Sequence, residues 1–231
     1  MKMTTPKSLA TQLRNLLSLL LEADVAILIN PIVEQHIGSE LRITWRSPTF
    51  GSAAISKASF ATVDEYSSLV SAQMYSAVLF DGSLLQISYD FAGHEIVGHR
   101  LCYYPCPFDI EERLLREEPL SDVIELYRES NKSLLNLRSP CRFDFDEKNA
   151  SAMHPSVHLH IIKAQCRWPI SHPISIGEFV DFVFRHFYPQ IWLIHPFLRK
   201  WPREDIGPKK ISRLEELEMH VACGQKVIAS H

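Results

Sequence analysis

The chain has 231 residues, 46% of them hydrophobic and 22% charged, with a formal net charge of -3. That composition excludes a wholly disordered chain. The charge, with a pI near 6.4, excludes the global positive field that non-specific nucleic-acid binding uses.

The N-terminal third opens with Leu9, Leu13, Leu16, Leu17 and Leu20 at helical spacing, which predicts an amphipathic helix over residues 8–22. The apolar runs Leu16–Leu21 and Val25–Ile29 are interrupted by Glu22 and Asp24. Neither approaches the roughly 20 residues of a membrane span. No small-residue cleavage site follows a suitable core, so no signal peptide and no membrane partner are expected. Val25–Ile29, closed by Asn30-Pro31, reads as a short strand or an extension of the helix. Leu41–Arg46 alternates as a strand with Leu41, Ile43 and Trp45 on one face. Residues 51–57 read as a loop.

Thr62–Ala72 reads as a helix with Thr62 and Glu65 in capping-box positions. Ala77–Phe80 and Ser83–Tyr89 flank Asp81-Gly82, which predicts a hairpin with a type I′ turn. Glu95–Tyr104 supplies a third strand of an antiparallel meander, and Pro105 and Pro107 end it. Asp109–Glu118 and Leu120–Leu137 read as helices broken at Pro119. Cys141–Asp146 and Val157–Ala164 alternate strictly as strands. Ser175 caps a helix with Glu178 three residues on, and Ile176, Phe179, Val180, Val183 and Phe187 form its apolar stripe. Residues 190–206 read as irregular but packed, and 209–224 as a final amphipathic helix. The expected architecture is α+β: a single domain over residues 1–231, a mainly antiparallel sheet and helices packed on one face. The weakest stretch, and the candidate boundary, is 130–139.

The five cysteines, Cys102, Cys106, Cys141, Cys166 and Cys223, are odd in number in a chain of ordinary domain size. Disulfide scaffolding is the poorer reading, and a reducing cytoplasm the better one. Cys102 and Cys106 have three intervening residues rather than the two of a common zinc knuckle.

The chemistry concentrates in residues 142–160. On the first strand Arg142, Asp144 and Asp146 share one face, and Cys141, Phe143 and Phe145 share the other. On the second, His158, His160 and Ile162 stand opposite Val157, Leu159 and Ile161. Pairing the strands with their apolar faces matched puts Arg142, Asp144, His158 and His160 on one surface. His154 sits at the rim in the intervening loop. Three readings stand. In the first, two imidazoles exchange protons with a phosphodiester, Arg142 grips the phosphate and Asp144 orients a histidine, with no cofactor. In the second, His158, His160 and Asp144, with His154 as a further donor, hold a metal ion. In the third, the pairs satisfy one another and the role is structural.

Weaker candidates lie elsewhere. His172, just before the capped helix, either leans over the end of the histidine strand or packs in a turn, and the turn is the commoner case. His94 and His99 read as ordinary edge or turn residues. Arg199, Lys200, Trp201, Arg203, Lys209, Lys210 and Arg213 outnumber Glu204 and Asp205 by four charges. That segment is a candidate nucleic-acid surface, by phosphate contact plus stacking on Trp201, or else a solvated helix start. No phosphate loop, nucleophile elbow or dinucleotide fingerprint is present.

The run Arg142-Phe-Asp-Phe-Asp, His154-Pro-Ser-Val-His158-Leu-His160, Cys166-Arg-Trp-Pro and Glu178–Tyr188 resembles a bacterial domain-of-unknown-function family over most of the chain. That resemblance implies a bacterial cytoplasmic protein and carries no established activity. Residues 142–160 alone are similar to TumE-type toxins of toxin–antitoxin pairs, with an Arg-aromatic-Asp strand before a histidine-dense strand. This implies a metal-free role for Arg142, Asp144, His154, His158 and His160. The leading expectation is a toxin-like or phage-defence protein acting on RNA or another nucleic acid. A non-enzymatic subunit binding a protein partner through Phe187–Trp201 is the alternative, and a metalloenzyme the third.

Overall fold

A computed structural model describes residues 4–46, 62–130, 135–151, 153–204, 206–211 and 220. The loop expected over 51–57, most of the helix expected over 209–224, and Cys223 lie outside the described residues. So does part of the 130–139 stretch.

The described elements run α1 (Pro6–Glu22), β1 (Ala26–Ile29), β2 (Ile32–Ile37), β3 (Glu40–Trp45), α2 (Val63–Ser71), β4 (Ala77–Leu79), β5 (Leu84–Ala92) and β6 (Glu95–Tyr104). They continue with α3 (Glu112–Glu117), α4 (Leu120–Ser130), β7 (Cys141–Asp146), β8 (Val157–Ile161), β9 (Trp168–Pro169), α5 (Ile176–Phe187), α6 (Pro189–Ile194) and α7 (Pro196–Lys200). Nine strands form one antiparallel sheet in the order β1-β4-β5-β6-β7-β8-β9, with β3 also paired to β5 and β2 to β3. Only Asn30 and Pro31 separate β1 from β2. The two act as a bent outer strand, one half pairing β4 and the other β3. The α+β class and the antiparallel sheet are as expected.

Helices cover both faces rather than one. Leu9, Leu13, Leu16, Leu17 and Leu20 of α1, with Phe179, Val180, Val183 and Phe184 of α5, pack on a first face that carries Leu85, Ile87, Leu101, Phe143 and Leu159. Tyr66, Leu69 and Val70 of α2, Leu115 of α3, and Val123, Ile124 and Tyr127 of α4 pack on the second face, over Val78, Leu84, Cys102 and Tyr104. The reason is in the strands. Leu84-Leu85 and Leu101–Tyr104 are apolar on successive residues, so one end of β5 and β6 needs cover on both sides. At the other end alternation returns, and Ser88, Asp90 and Arg100 face the second side.

Local departures have local causes. Of Asp81 and Gly82 only the glycine takes positive φ, at 83°. Its N–H donates to the Leu79 carbonyl at 2.9 Å, and the Asp81 carboxylate accepts from Ser83 N–H at 3.0 Å. The hairpin therefore turns through a three-residue loop with a glycine bulge, not the type I′ turn that Asp-Gly predicts. The segment after Pro189 is not irregular: Pro189 and Pro196 each start a short helix at its first turn. The helix begun at Leu120 is described to Ser130, and Leu135, expected within it, bridges Phe108 instead. The β8 strand stops at Ile161 because Ile162 turns to φ 66° while its N–H donates to Ser139 Oγ at 2.7 Å. Among the described residues no helix is long and apolar enough to cross a membrane.

The α5 cap is reciprocal: Ser175 N–H donates to the Glu178 carboxylate at 2.8 Å and Glu178 N–H to Ser175 Oγ at 3.3 Å. Its first turn also receives the chain at Trp201-Pro202. A Cβ on Gly177 would stand 2.1 Å from the Pro202 carbonyl oxygen. Gly177→Ala, which in a free helix gains about 1 kcal/mol, is expected here to destabilise by about 1–3 kcal/mol through overpacking. Urea unfolding checks the sign.

His99 is no edge residue. It lies in the first-face core, 4% exposed, and its Nε2 accepts from the Ile174 N–H at 2.9 Å. Burial lowers its pKa to about 4, and Asp144 only partly offsets this. The folded state rejects a proton that the unfolded chain takes up below about 6.5. This contribution to stability is complete above that pH and fades as pH falls to about 4, by about 3 kcal/mol. His99→Gln, which keeps an acceptor for Ile174, is expected to lose less stability than wild type between pH 7 and pH 4 in urea melts.

Candidate functional site

The β7–β8 register sets Arg142 opposite His160 and Asp144 opposite His158. All four side chains fall on the second face, because Phe143, Phe145, Val157 and Leu159 are claimed by the first-face core. On the other flank, β6 sets Arg100 opposite Asp144.

Asp144 is the hub. Arg142 Nε donates to both its oxygens, at 3.2 and 3.1 Å, and Arg142 Nη2 lies 3.0 Å from Oδ2. His160 Nε2 lies 3.3 Å from Oδ2, His158 Nε2 4.0 Å, and Arg100 Nε 3.7 Å from Oδ1. The two imidazoles meet at 2.9 Å, Nε2 to Nε2. His158 Nδ1 is 2.7 Å from the Pro155 carbonyl. A carbonyl only accepts, so Nδ1 carries the proton, and in neutral His158 Nε2 holds a lone pair. The hydrogen at the imidazole contact then belongs to His160.

The group is buried: His158 is 1% exposed, His160 2%, Asp144 7% and Arg142 9%. Burial alone would raise the Asp144 carboxyl. The hydrogen bond with His160 and the charges of Arg142 and Arg100 outweigh it and hold the carboxyl well below the usual carboxylate range. Burial lowers His158 to about 4 against the pull of Asp144, so it is neutral at pH 7. His154 is half-buried, with its ring edge-on to His158 at 4.7 Å between centroids. Burial and the charge of Arg167 lower its pKa.

Beside the hub lies a pocket of about 220 Å³, lined in part by Arg42, Ser88, Asp90, Arg100, Asp144 and Asp146. Its charges are largely matched. Arg42 grips Asp90 at 2.6 and 2.8 Å, and Lys148 pairs with Glu40. Arg100 was not singled out by sequence. Its place follows from β6 lying next to β7, a long-range pairing with no local signal.

Among the described residues, which exclude Asp205 and Arg213, the basic segment is not brought to this site. Trp201 packs against the first-face core with Trp192 and Phe197. Arg203 pairs with Asp181 at 2.9 Å, and Lys210 with Glu147 at 2.7 Å. Arg199 lies over the Trp192 ring and is exposed, as are Lys200 and Lys209. Of the Phe187–Trp201 stretch, Phe187, Leu193 and Ile194 are exposed at 41%, 52% and 69%. His172 Nδ1 lies 2.9 Å from Ser171 Oγ. Cys102 and Cys106 are buried free thiols raised by burial, Cys106 to about 11.

Because Asp144 balances two guanidiniums, Asp144→Ala is expected to destabilise by about 3–5 kcal/mol, the effect of stranding a buried charge. A surface-sized loss in chemical denaturation would contradict that balance.

No curated protein and no solved structure matches the chain. Residues 27–223, most of the chain, match the family described as "Uncharacterized conserved protein (DUF2290)", and the protein belongs to that family.

Proposed function

We propose that the chain cleaves phosphodiester bonds of RNA, with the second-face hub as its active site and a toxin or phage-defence role as its setting. The observation that carries the reading is the convergence of Arg100 and Arg142 on a carboxylate that also contacts an imidazole pair, beside a pocket. RNA supplies its own nucleophile in the 2′-hydroxyl. The protein then needs a cation for the phosphate and an acceptor for one proton. Arg100, 3.7 Å from Asp144 and 37% exposed along its side chain, turns from the carboxylate to the phosphate. Arg142 stays on the carboxylate. The pair His158–His160 takes the proton of the attacking 2′-hydroxyl and returns it to the departing 5′-oxygen as the 2′,3′-cyclic phosphate forms; at 2.9 Å its two Nε2 atoms act as one unit and not as a separate acid and base on either side of a phosphate. His154, lying over His158, moves aside to admit substrate. The local resemblance of residues 142–160 to TumE-type toxins supports RNA over other esters.

Arg100→Gln and His158→Gln are each expected to lower oligoribonucleotide cleavage about 100-fold or more, with Arg100→Gln losing less stability than Asp144→Ala does. Wild-type protein that cleaves no RNA, and no small phosphodiester, in a chromatographic assay would overturn the reading.

A further inference from the structure

We infer that the hub is also a transition-metal site, with His158 Nε2, His160 Nε2 and an Asp144 oxygen as ligands and zinc as the best-fitting ion. Donor atoms of these three residues all lie within 4.8 Å of one another. The pairwise distances are 2.9 Å between imidazoles, 3.3 Å from His160 to Oδ2 and 4.0 Å from His158 to Oδ2. A triangle with those sides has a circumradius of about 2.0 Å, so a single point stands one zinc–imidazole bond length from all three atoms. An ion slightly off that plane keeps such bonds and leaves a fourth position for water or substrate.

The surroundings fit as well. His158 Nδ1 is fixed on the Pro155 carbonyl, the outer contact that orients a ligating imidazole and commits Nε2 to the metal. Arg142 holds Asp144 in place by donating to both carboxylate oxygens. The donor set has two nitrogens and one oxygen, and two guanidiniums lie close by. Hard ions such as magnesium and calcium, which demand several oxygens, do not suit it, whereas imidazole-seeking zinc, cobalt and nickel do. The ion takes the place of the hydrogen that His160 Nε2 now directs at His158, and neutral His160 then carries that proton on Nδ1 instead. Metal and hydrogen are therefore exclusive occupants of one position, and zinc is expected to block the proton-accepting role proposed above.

The inference uses the same atoms as that reading but needs no activity. The full chain is stripped with chelator, dialysed against zinc chloride and analysed for metal. About one zinc per chain is expected, with a raised melting temperature. Cobalt(II) in its place should give the visible absorption of a low-coordinate site. His158→Gln and His160→Gln should each weaken zinc about tenfold or more. Should either fail to fold, uptake by wild type decides. Less than roughly a tenth of an equivalent bound, or zinc bound equally by folded variants, overturns the site. Zinc binding without any RNA cleavage sustains the metal site and removes the hydrolase reading. Cleavage by the stripped protein that stops on adding zinc sustains both.

Discussion

Asp144 is the residue on which the second face depends. It stands at the crossing of three strands, with Arg100 on β6, Arg142 on its own β7 and the imidazoles on β8. Each of these groups is costly to bury alone. Together they are compatible with burial because one carboxylate accepts from a guanidinium, faces a second and holds His160 close enough to His158 for the imidazoles to share a hydrogen. The low carboxyl pKa follows from that arrangement, whereas burial, against the pull of Asp144, keeps His158 neutral. The charge is retained, and the imidazole beside it is left with a lone pair.

The first face explains why the hub can exist. Phe143, Phe145, Val157 and Leu159 are fixed by α5 and the first-face core, and a slip of one residue would turn every polar side chain inward. Register is therefore set on one side of the sheet and used on the other. The helices α2, α3 and α4 cover the second face only at the apolar end of β5 and β6. Near β7 and β8 that face carries Arg100, Arg142, Asp144 and the histidines.

Sequence and structure agree where the signal is local. The strands Glu95–Tyr104 and Cys141–Asp146, the Ser175–Glu178 cap and the alternation of 142–146 and 157–161 are all readable from neighbouring residues. What was not readable is long-range. Nothing near Arg100 says that β6 will lie against β7, and nothing in residues 154–160 says that the imidazoles will be covered. Helices on both faces follow from doubly apolar runs such as Leu101–Tyr104, whose meaning depends on which strands flank them. In the basic segment, likewise, nothing local says that Arg203 and Lys210 will find Asp181 and Glu147.

The central claim is that the hub holds a converging lone pair on His158 Nε2, ready for either a proton or a metal. Long-range proton–nitrogen correlation spectra of the imidazoles, on metal-free protein at neutral pH, test it most directly. The account predicts His158 as the neutral tautomer protonated at Nδ1, with Nε2 unprotonated. A His158 signal from an imidazolium, or from the tautomer protonated at Nε2, would contradict it.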